Sequence, residues 1–203
     1  MGRPSRAPQR RAELVAVARR AVVERGVLNL RLRDIAEGAG MSSGSVLYYF
    51  PTLVDLLQEV QREAVERFCA DREQAASARS DPRARLLAMI RSGLPSGPED
   101  ELCVLLYELG TIARRDPAYA ARHIALFERQ VRIYAGILEA GVATGVFELT
   151  ADALTVARNL VTLEDGYGLH LTLAVPVMDT GTAEALILSY ARTATRCDLE
   201  ELS

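Results

Sequence analysis

A short run of hydroxyl-bearing and aromatic residues follows Gly40, and its spacing could place several hydrogen-bonding groups on one helix face. Serine hydroxyls donate and accept hydrogen bonds, and tyrosine adds a phenolic hydroxyl at the end of a flat ring. The residues expected on this face are Ser42, Ser43, Gly44, Ser45, Tyr48 and Tyr49. A small, polar surface of this kind can approach the edges or phosphates of another molecule closely.

Two short helices and a tight turn must position this face. Apolar spacing predicts one helix over 32–39, Gly40 supplies a left-handed turn residue, and Ser42 can cap a second helix over 43–49. Val46, Leu47 and Phe50 are expected to pack inward. This spacing is typical of a helix-turn-helix, whose second helix enters the major groove of DNA. A plain pair of packed helices in a bundle is the alternative.

The charge distribution favours the DNA-binding interpretation. Residues 1–50 contain nine arginines and four acidic residues, a net charge of +5. The remaining residues contain fifteen arginines and twenty-three acidic residues, a net charge of −8, so the total is −3. Arginines neutralise phosphates and supply most of the non-specific affinity for DNA.

The rest of the chain also has helical spacing, with almost no strand signal. The first helix ends at Gly26, and a fourth has Pro51 in its first turn and continues to Phe68. Further helices are predicted over 82–94, 99–114, 117–143, 150–174 and 180–197. The sequence therefore predicts an all-α fold of about nine helices.

Several classes of protein are disfavoured by what the sequence lacks. Cys69, Cys103 and Cys197 lie too far apart for a zinc motif, and their sparse use fits a reducing cytoplasm. We find no phosphate loop, no nucleophile elbow and no metalloprotease motif, so we expect no enzyme, metal or cofactor. The sequence contains neither a secretion signal nor a run of 18 apolar residues, and we expect no membrane span.

Residues 10–57 resemble the DNA-binding domain of the TetR family of bacterial transcriptional regulators. The resemblance rests on Leu32-Arg33-Asp34-Ile35-Ala36-Glu37-Gly38-Ala39-Gly40-Met41-Ser42 and on Tyr49-Phe50-Pro51. A second resemblance, over 102–175, is to the BetI-like branch of the family. It rests on Ala113-Arg114-Arg115-Asp116-Pro117, Gly141-Val142-Ala143-Thr144-Gly145 and Glu164-Asp165-Gly166.

The resemblance implies DNA contacts from the second short helix and its flanks, but three positions depart from the family pattern. Arg31 replaces the usual Ser or Thr cap, Leu47 replaces a frequent Tyr, and Leu53 replaces a Lys. Because the helix has no side chain for a bidentate base contact, we expect more recognition from Arg33, a basic arm and DNA shape. A solvated tail is the alternative for the arm, which contains Arg3, Arg6, Arg10 and Arg11. The full set predicted to bind DNA is Arg3, Arg6, Arg10, Arg31, Arg33, Ser42, Ser43, Gly44, Ser45, Tyr48, Tyr49 and Thr52.

The last two helices are apolar on more than one face, over 153–175 and 183–191. Helices of this kind are buried, here in a subunit interface or in a monomeric core. The resemblance implies a homodimer through these helices, and a two-fold dimer would read a palindromic operator in double-stranded DNA.

The resemblance also implies a small-molecule effector bound among the middle helices. Polar or aromatic residues on apolar helices are the candidates, although each taken singly could have an ordinary core or surface role. They are Met89, Cys103, Tyr107, Phe127, Gln130, Tyr134, Asn159 and Glu164. The chain has no Trp, so an aromatic cage for a quaternary ammonium is not indicated. We expect His170 to be a hydrogen-bonded pocket or interface residue.

We therefore predict a cytoplasmic, dimeric transcriptional repressor that an effector releases from DNA. The expected division is a basic arm and helix-turn-helix over 1–53, followed by an effector-binding and dimerisation domain over 54–203. The alternative is a helical interaction module that binds a protein or an anionic membrane without reading DNA. Preference for random duplex DNA or for anionic vesicles at matched salt would separate the two hypotheses.

Overall fold

A computed structural model describes residues 7–199, and within that range the chain forms nine α-helices and no strand. The all-α prediction is therefore confirmed. The helices are α1 Ala7–Arg25, α2 Leu32–Gly38, α3 Ser43–Tyr49, α4 Leu53–Ser77, α5 Pro82–Gly93, α6 Glu101–Gly110, α7 Pro117–Ala143, α8 Ala153–Thr172 and α9 Thr180–Thr195.

Short acidic and hydroxyl side chains determine where several helices begin. Asp152 accepts a hydrogen bond from the Thr155 amide at 3.0 Å, and Asp179 accepts one from the Thr182 amide at 2.7 Å. These bonds satisfy amides that have no partner inside the helix. Several predicted boundaries are wrong, and α6 covers Glu101–Gly110 rather than 99–114. The eighth helix begins after Asp152 rather than at Thr150, and Pro51 lies outside α4, which follows Thr52.

The chain folds into two compact units that do not follow the linear order of the sequence. One unit contains the described residues through Val65 together with Val104–His123. The other contains Glu66–Cys103 and the described residues from Ile124 onward. Helices α4, α6 and α7 each contribute residues to both units. The predicted division after residue 53 concerns function and stays a prediction.

The core of the first unit lies among α1, α2 and α3. Leu14, Ile35 and Val46 have no exposed surface, and Phe50 is buried directly after α3. Gly38 allows a close approach of α2 to α1, because a Cβ there would lie 2.9 Å from Cγ1 of Val17.

The core of the second unit lies among α5, α7, α8 and α9. Leu86, Ile137, Leu160 and Ile187 are fully buried and belong to one hydrophobic cluster. At the end of α7, a Cβ on Gly141 would overlap the ring of Phe147, so glycine permits this contact. Among the described residues, no helix is both long enough and apolar enough to cross a membrane.

Candidate functional site

The turn between α2 and α3 is built as the sequence predicted. Gly40 has φ +62°, in the region that glycine adopts without strain. The amide of Met41 donates to the carbonyl of Ala36 at 2.8 Å and closes the turn. Ser42 then caps α3, since its hydroxyl accepts from the Ser45 amide at 3.1 Å. The helix-turn-helix is therefore present, with both helices held by local hydrogen bonds.

Helix α3 presents the predicted polar residues on its outward face, while Val46 faces the core. Ser42, Gly44, Ser45 and Tyr48 are exposed, and Ser43 and Tyr49 are half-buried. Tyr48 is 82% exposed, and its ring meets the Tyr49 ring edge-on at 5.1 Å between centroids. The expectation that Leu47 packs inward was wrong. It is 41% exposed, because a seven-residue helix has room for few inward positions and Val46 already occupies one.

Arg31 and Arg33 lie exposed at the start of α2. Arg31 cannot cap the helix, because a guanidinium has no acceptor. Instead the carboxylate of Asp34 accepts from the Arg31 amide at 2.8 Å, and it also pairs with Arg25 at 3.2 Å. Asp34 thus satisfies the amide and leaves the Arg31 side chain directed outward for other contacts.

Two residues expected in a basic arm lie within α1. Arg10 forms an ion pair with Glu13. The hydrogen bond to Glu13 and its negative charge raise the pKa of the Arg10 guanidinium. Arg11 donates to the carbonyl of Tyr49, and its guanidinium lies 4.0 Å from the ring centroid of Phe50. Arg11 therefore joins α1 to the end of α3. Arg3 and Arg6 lie outside the residues that the structure describes.

Thr52 is exposed and caps α4 in a reciprocal pair with Asp55. The hydroxyl of Thr52 accepts from the Asp55 amide at 3.1 Å, and the Asp55 carboxylate accepts from the Thr52 amide at 3.0 Å. This arrangement fixes the start of α4 close in sequence to the end of α3.

Sequence reasoning missed Glu108 on α6. Its carboxylate accepts from the amide of Val27 at 2.8 Å and lies 3.4 Å from the position that a Cβ on Gly26 would occupy. Gly26 and Val27 form the connection that follows α1, so Glu108 fixes α6 to this connection within the first unit. The residues are 81 positions apart, and no local pattern could have shown the contact.

The second unit contains a buried polar cluster, which we define as Arg72, Tyr134 and Glu164. Nη2 of Arg72 donates to Oε2 of Glu164 at 2.8 Å, and the hydroxyl of Tyr134 donates to Oε1 of the same carboxylate. All three side chains are buried. Only Tyr134 and Glu164 were among the predicted effector residues. Arg72 was missed because it lies in a charged stretch that resembles a solvated helix face.

Burial and mutual contact shift the pKa values of the cluster. Burial raises the pKa of Glu164 to about 7, against the opposing effects of Arg72 and Tyr134. Burial also raises the pKa of Tyr134 well above its usual value. Burial alone would lower the pKa of Arg72, but Glu164 and Tyr134 raise it overall. Arg72 therefore stays protonated, whereas Glu164 gains or loses a proton near neutral pH.

The other predicted effector residues are not all brought together. Met89, Cys103 and Gln130 are buried in the second unit, and Phe127 is half-buried there. Tyr107 is half-buried but belongs to the first unit.

Two residues expected at an effector pocket or an interface, Asn159 and His170, lie on the surface. Asn159 is exposed on α8 and donates from Nδ2 to the hydroxyl of Tyr190 at 2.8 Å. His170 is exposed near the end of α8. The hypothesis of a pocket histidine is therefore not supported, and an interface position remains open. In the part of the chain that is described, no group of three His, Cys, Asp or Glu residues is placed to hold a metal ion.

Comparison with known families gives two matches along the chain. Residues 82–196 match the family described as BetI-type transcriptional repressor, C-terminal. Residues 14–60 match the family described as bacterial regulatory proteins, tetR family. The two matches include the helix-turn-helix and most of the second unit.

Two curated relatives are similar over most of their length. The HTH-type transcriptional repressor KstR2 of Rhodococcus jostii (strain RHA1) is 27% identical over 154 residues, which cover 74% of each protein. The HTH-type transcriptional regulator BetI of Brucella suis (strain ATCC 23445 / NCTC 10510) is 27% identical over 186 residues, 90% of each protein.

Solved structures share the fold. A TetR transcription regulator from Haloarcula marismortui ATCC 43049 aligns with a TM-score of 0.83 at 27% identity, covering 93% of this chain and 99% of the other. A regulator from Saccharomonospora viridis, solved in complex with choline, aligns with a TM-score of 0.85 at 23% identity, covering 91% and 96%. At that identity the second comparison shows the fold alone.

Proposed function

The chain belongs to the TetR family of bacterial regulatory proteins and has a BetI-type C-terminal region, and from this premise we propose that it is a homodimeric repressor. In this proposal the free dimer binds a palindromic operator, and a small-molecule effector releases it. The protein acts on DNA in the cytoplasm and catalyses no reaction. The observation that carries the proposal is the α2–Gly40–α3 turn with its small, hydroxyl-rich outward face.

The arginines and the small polar residues of the predicted DNA-binding set suggest two different roles at the DNA. Arg31 and Arg33, together with Arg3, Arg6 and Arg10, contact phosphates or the minor groove and supply affinity. In this proposal the surface that lies closest to the DNA is formed by Ser42, Ser43, Gly44, Ser45, Tyr48, Tyr49 and Thr52. Because Leu47 is exposed on α3, we propose that it contacts a thymine methyl group in the major groove.

Regulators of this type often control adjacent genes, so the DNA flanking this gene is the first operator to test. Fluorescence anisotropy should show tighter binding to this DNA than to random duplex of equal length. Tyr48→Ala should weaken binding, whereas Ile124→Ala, an exposed change on α7 in the second unit, should not. Stronger retention on anionic vesicles than on duplex DNA at matched salt would contradict the proposal and favour the interaction module.

Exposed apolar residues on the last two helices support the dimer. Leu154 and Leu169 on α8, Leu186 on α9 and Leu173 after α8 are between 41% and 65% exposed, and we propose that they contribute to the subunit interface. In the proposed dimer a second copy of the chain covers these side chains, and reading a palindrome requires two α3 helices about 34–36 Å apart or a multiple of that distance. Leu169→Glu should give monomers in light scattering, and Leu28→Glu on the first unit should not.

Helix α6 is our candidate for the link between effector and DNA. It contains Cys103, a predicted effector residue, and Glu108, which accepts from the Val27 amide. A displacement of α6 on effector binding would disturb the connection between α1 and α2. Glu108→Ala should therefore lower operator affinity in the absence of effector, and Glu101→Ala, an exposed change in the same helix, should leave it unchanged.

A further inference from the structure

The guanidinium of Arg72 has more hydrogen-bond donors than its surroundings accept. Arg72 has no exposed surface, and only its Nη2 makes a hydrogen bond within the described residues. Nε and Nη1 are buried without a partner in that part of the chain. Proteins seldom bury charged donors without an acceptor, because each such donor has lost its hydrogen bonds to water and has gained none in exchange.

Glu164 occupies only one of the donor nitrogens of this guanidinium. An arginine carries five N–H groups in a planar fork, and Glu164 accepts from Nη2 through a single oxygen. Nη2 has a second hydrogen, and this hydrogen points in the same direction as a hydrogen of either Nε or Nη1. A second acceptor group can therefore accept from two nitrogens at once, whichever side of Nη2 Glu164 occupies. A carboxylate matches that spacing, because its two oxygens can accept side by side from two parallel N–H groups.

The neighbouring residues provide apolar contacts and little competition for these donors. Phe68 and Tyr134 place their rings 5.2 and 5.7 Å from the guanidinium carbon. Burial raises the pKa of the Cys103 thiol to about 12, so this group stays neutral. A Cβ on Gly93 would overlap Nη1 of Arg72 and the Glu164 carboxylate, so glycine allows α5 to pack directly against the cluster without adding a competing side chain.

The charge of the cluster also favours an anion. Because burial raises the pKa of Glu164 to about 7, part of the protein at neutral pH holds a neutral Glu164 beside a permanently charged Arg72. A buried cation without a counter-ion is unfavourable, and a bound carboxylate would remove that cost. A cationic effector would instead add a second positive charge next to Arg72 and would find Glu164 already hydrogen-bonded to Arg72 and Tyr134.

We propose that the effector is an apolar molecule carrying a carboxylate, and that Arg72 binds this carboxylate. This inference rests on the proposed function, since it names the chemical class of the molecule that releases the repressor. It assigns Arg72 as a ligand-binding residue and gives Tyr134 and Glu164 the role of holding its guanidinium in place. An anionic effector would differ from choline, with which the Saccharomonospora viridis regulator was solved.

The test compares decanoate with decyltrimethylammonium, two probes of equal chain length and opposite charge, below their micelle concentrations. Calorimetry on the full chain at neutral pH should show decanoate binding at least about tenfold more tightly, since a charge-assisted hydrogen-bond pair contributes at least that factor. Tighter binding of the cation, or no binding of decanoate, would overturn the proposal.

Variants of the cluster identify the residue responsible. Arg72→Lys keeps the charge but removes the fork, and it should weaken decanoate binding about tenfold or more. Arg129→Lys is the matched control, because Arg129 lies in the same unit but pairs with Glu66 and Glu73 near the surface. If Arg72→Lys fails to fold, the double variant Arg72→Met with Glu164→Gln is used, because it removes both buried charges together. This double variant should also lose decanoate binding. Unchanged decanoate binding in a folded cluster variant would refute the assignment.

The same samples separate this inference from the proposed function. Operator binding is measured by anisotropy with and without decanoate. Decanoate should release wild-type protein from the DNA, and the cluster variants should stay bound. If decanoate fails to bind while operator binding is intact, the effector class is wrong and the repressor remains. If decanoate binds but releases no DNA, the release mechanism itself is wrong.

Discussion

The helix-turn-helix exposes its polar side chains to solvent, whereas the buried polar cluster of Arg72, Tyr134 and Glu164 lies inside an apolar core. In the first region, Ser42 bonds to Ser45 and Asp34 bonds to Arg31, each three residues away. In the second region, Arg72 bonds to a residue 92 positions away. Exposed polar groups can rely on water and neighbours in sequence, but buried ones depend on distant partners, so the two regions should respond very differently to substitution.

The largest effect is expected from Arg72→Ala, which leaves Glu164 buried without its partner. Removing one member of a buried ion pair costs about 3–5 kcal/mol of unfolding free energy. Arg129→Ala breaks ion pairs that are more exposed and should cost about 1 kcal/mol or less. Urea denaturation of both variants measures the difference. Equal losses would mean that the cluster behaves as a surface pair, and the contrast between the two regions would fail.

The second prediction concerns pH and uses Glu164→Gln as the reference. The folded pKa of Glu164 is about 7, raised from the ordinary 4.5, so the folded state binds this proton more tightly. The resulting stabilisation is fully present below pH 4.5 and is lost as the pH rises to about 7. The unfolding free energy of wild type minus that of Glu164→Gln should therefore fall by about 2–3 kcal/mol across this window. A flat difference would show that Glu164 titrates as an exposed carboxyl group does.

A smaller effect is expected in the helix-turn-helix, where Ser42→Ala removes the cap of α3. Loss of such a cap typically costs about 1 kcal/mol, because the Ser45 amide is exposed to water and can be solvated in part. Ser43→Ala, at the next position, removes no capping bond and serves as the control. Thermal unfolding of the pair isolates the cap. A loss as large as that of Arg72→Ala would remove the distinction between local and distant bonding.

The smallest effect on stability is expected from Arg33→Ala, because this side chain is exposed on α2. Its effect should appear in DNA binding, where loss of one phosphate contact lowers the salt-dependence slope by about 1. Arg132→Ala, an exposed arginine change in α7, provides the comparison. An unaltered slope with Arg33→Ala would remove this residue from the proposed interface.

Much of the fold follows from short-range patterns. Ser42 caps α3 where the pattern predicts it, and Gly26 and Gly40 adopt positive φ at the predicted ends of helices. Leu47 was placed wrongly because apolar character does not show which side of a short helix a residue occupies. Arg10 and Arg11 were assigned to an arm because their charge, rather than their helical spacing, determined that interpretation.

The sequence by itself determined the all-helical fold, the helix-turn-helix and the charge contrast between the two parts of the chain. These features depend on residues that interact within a few positions, so periodicity and capping patterns are sufficient to identify them. Only the tertiary structure decided that Glu108 holds the connection after α1, that Asn159 lies outside the core and that Arg72 joins Glu164 in its interior. Those contacts link residues far apart in the chain, and the burial that gives a charged group its energetic importance exists only after the helices have packed.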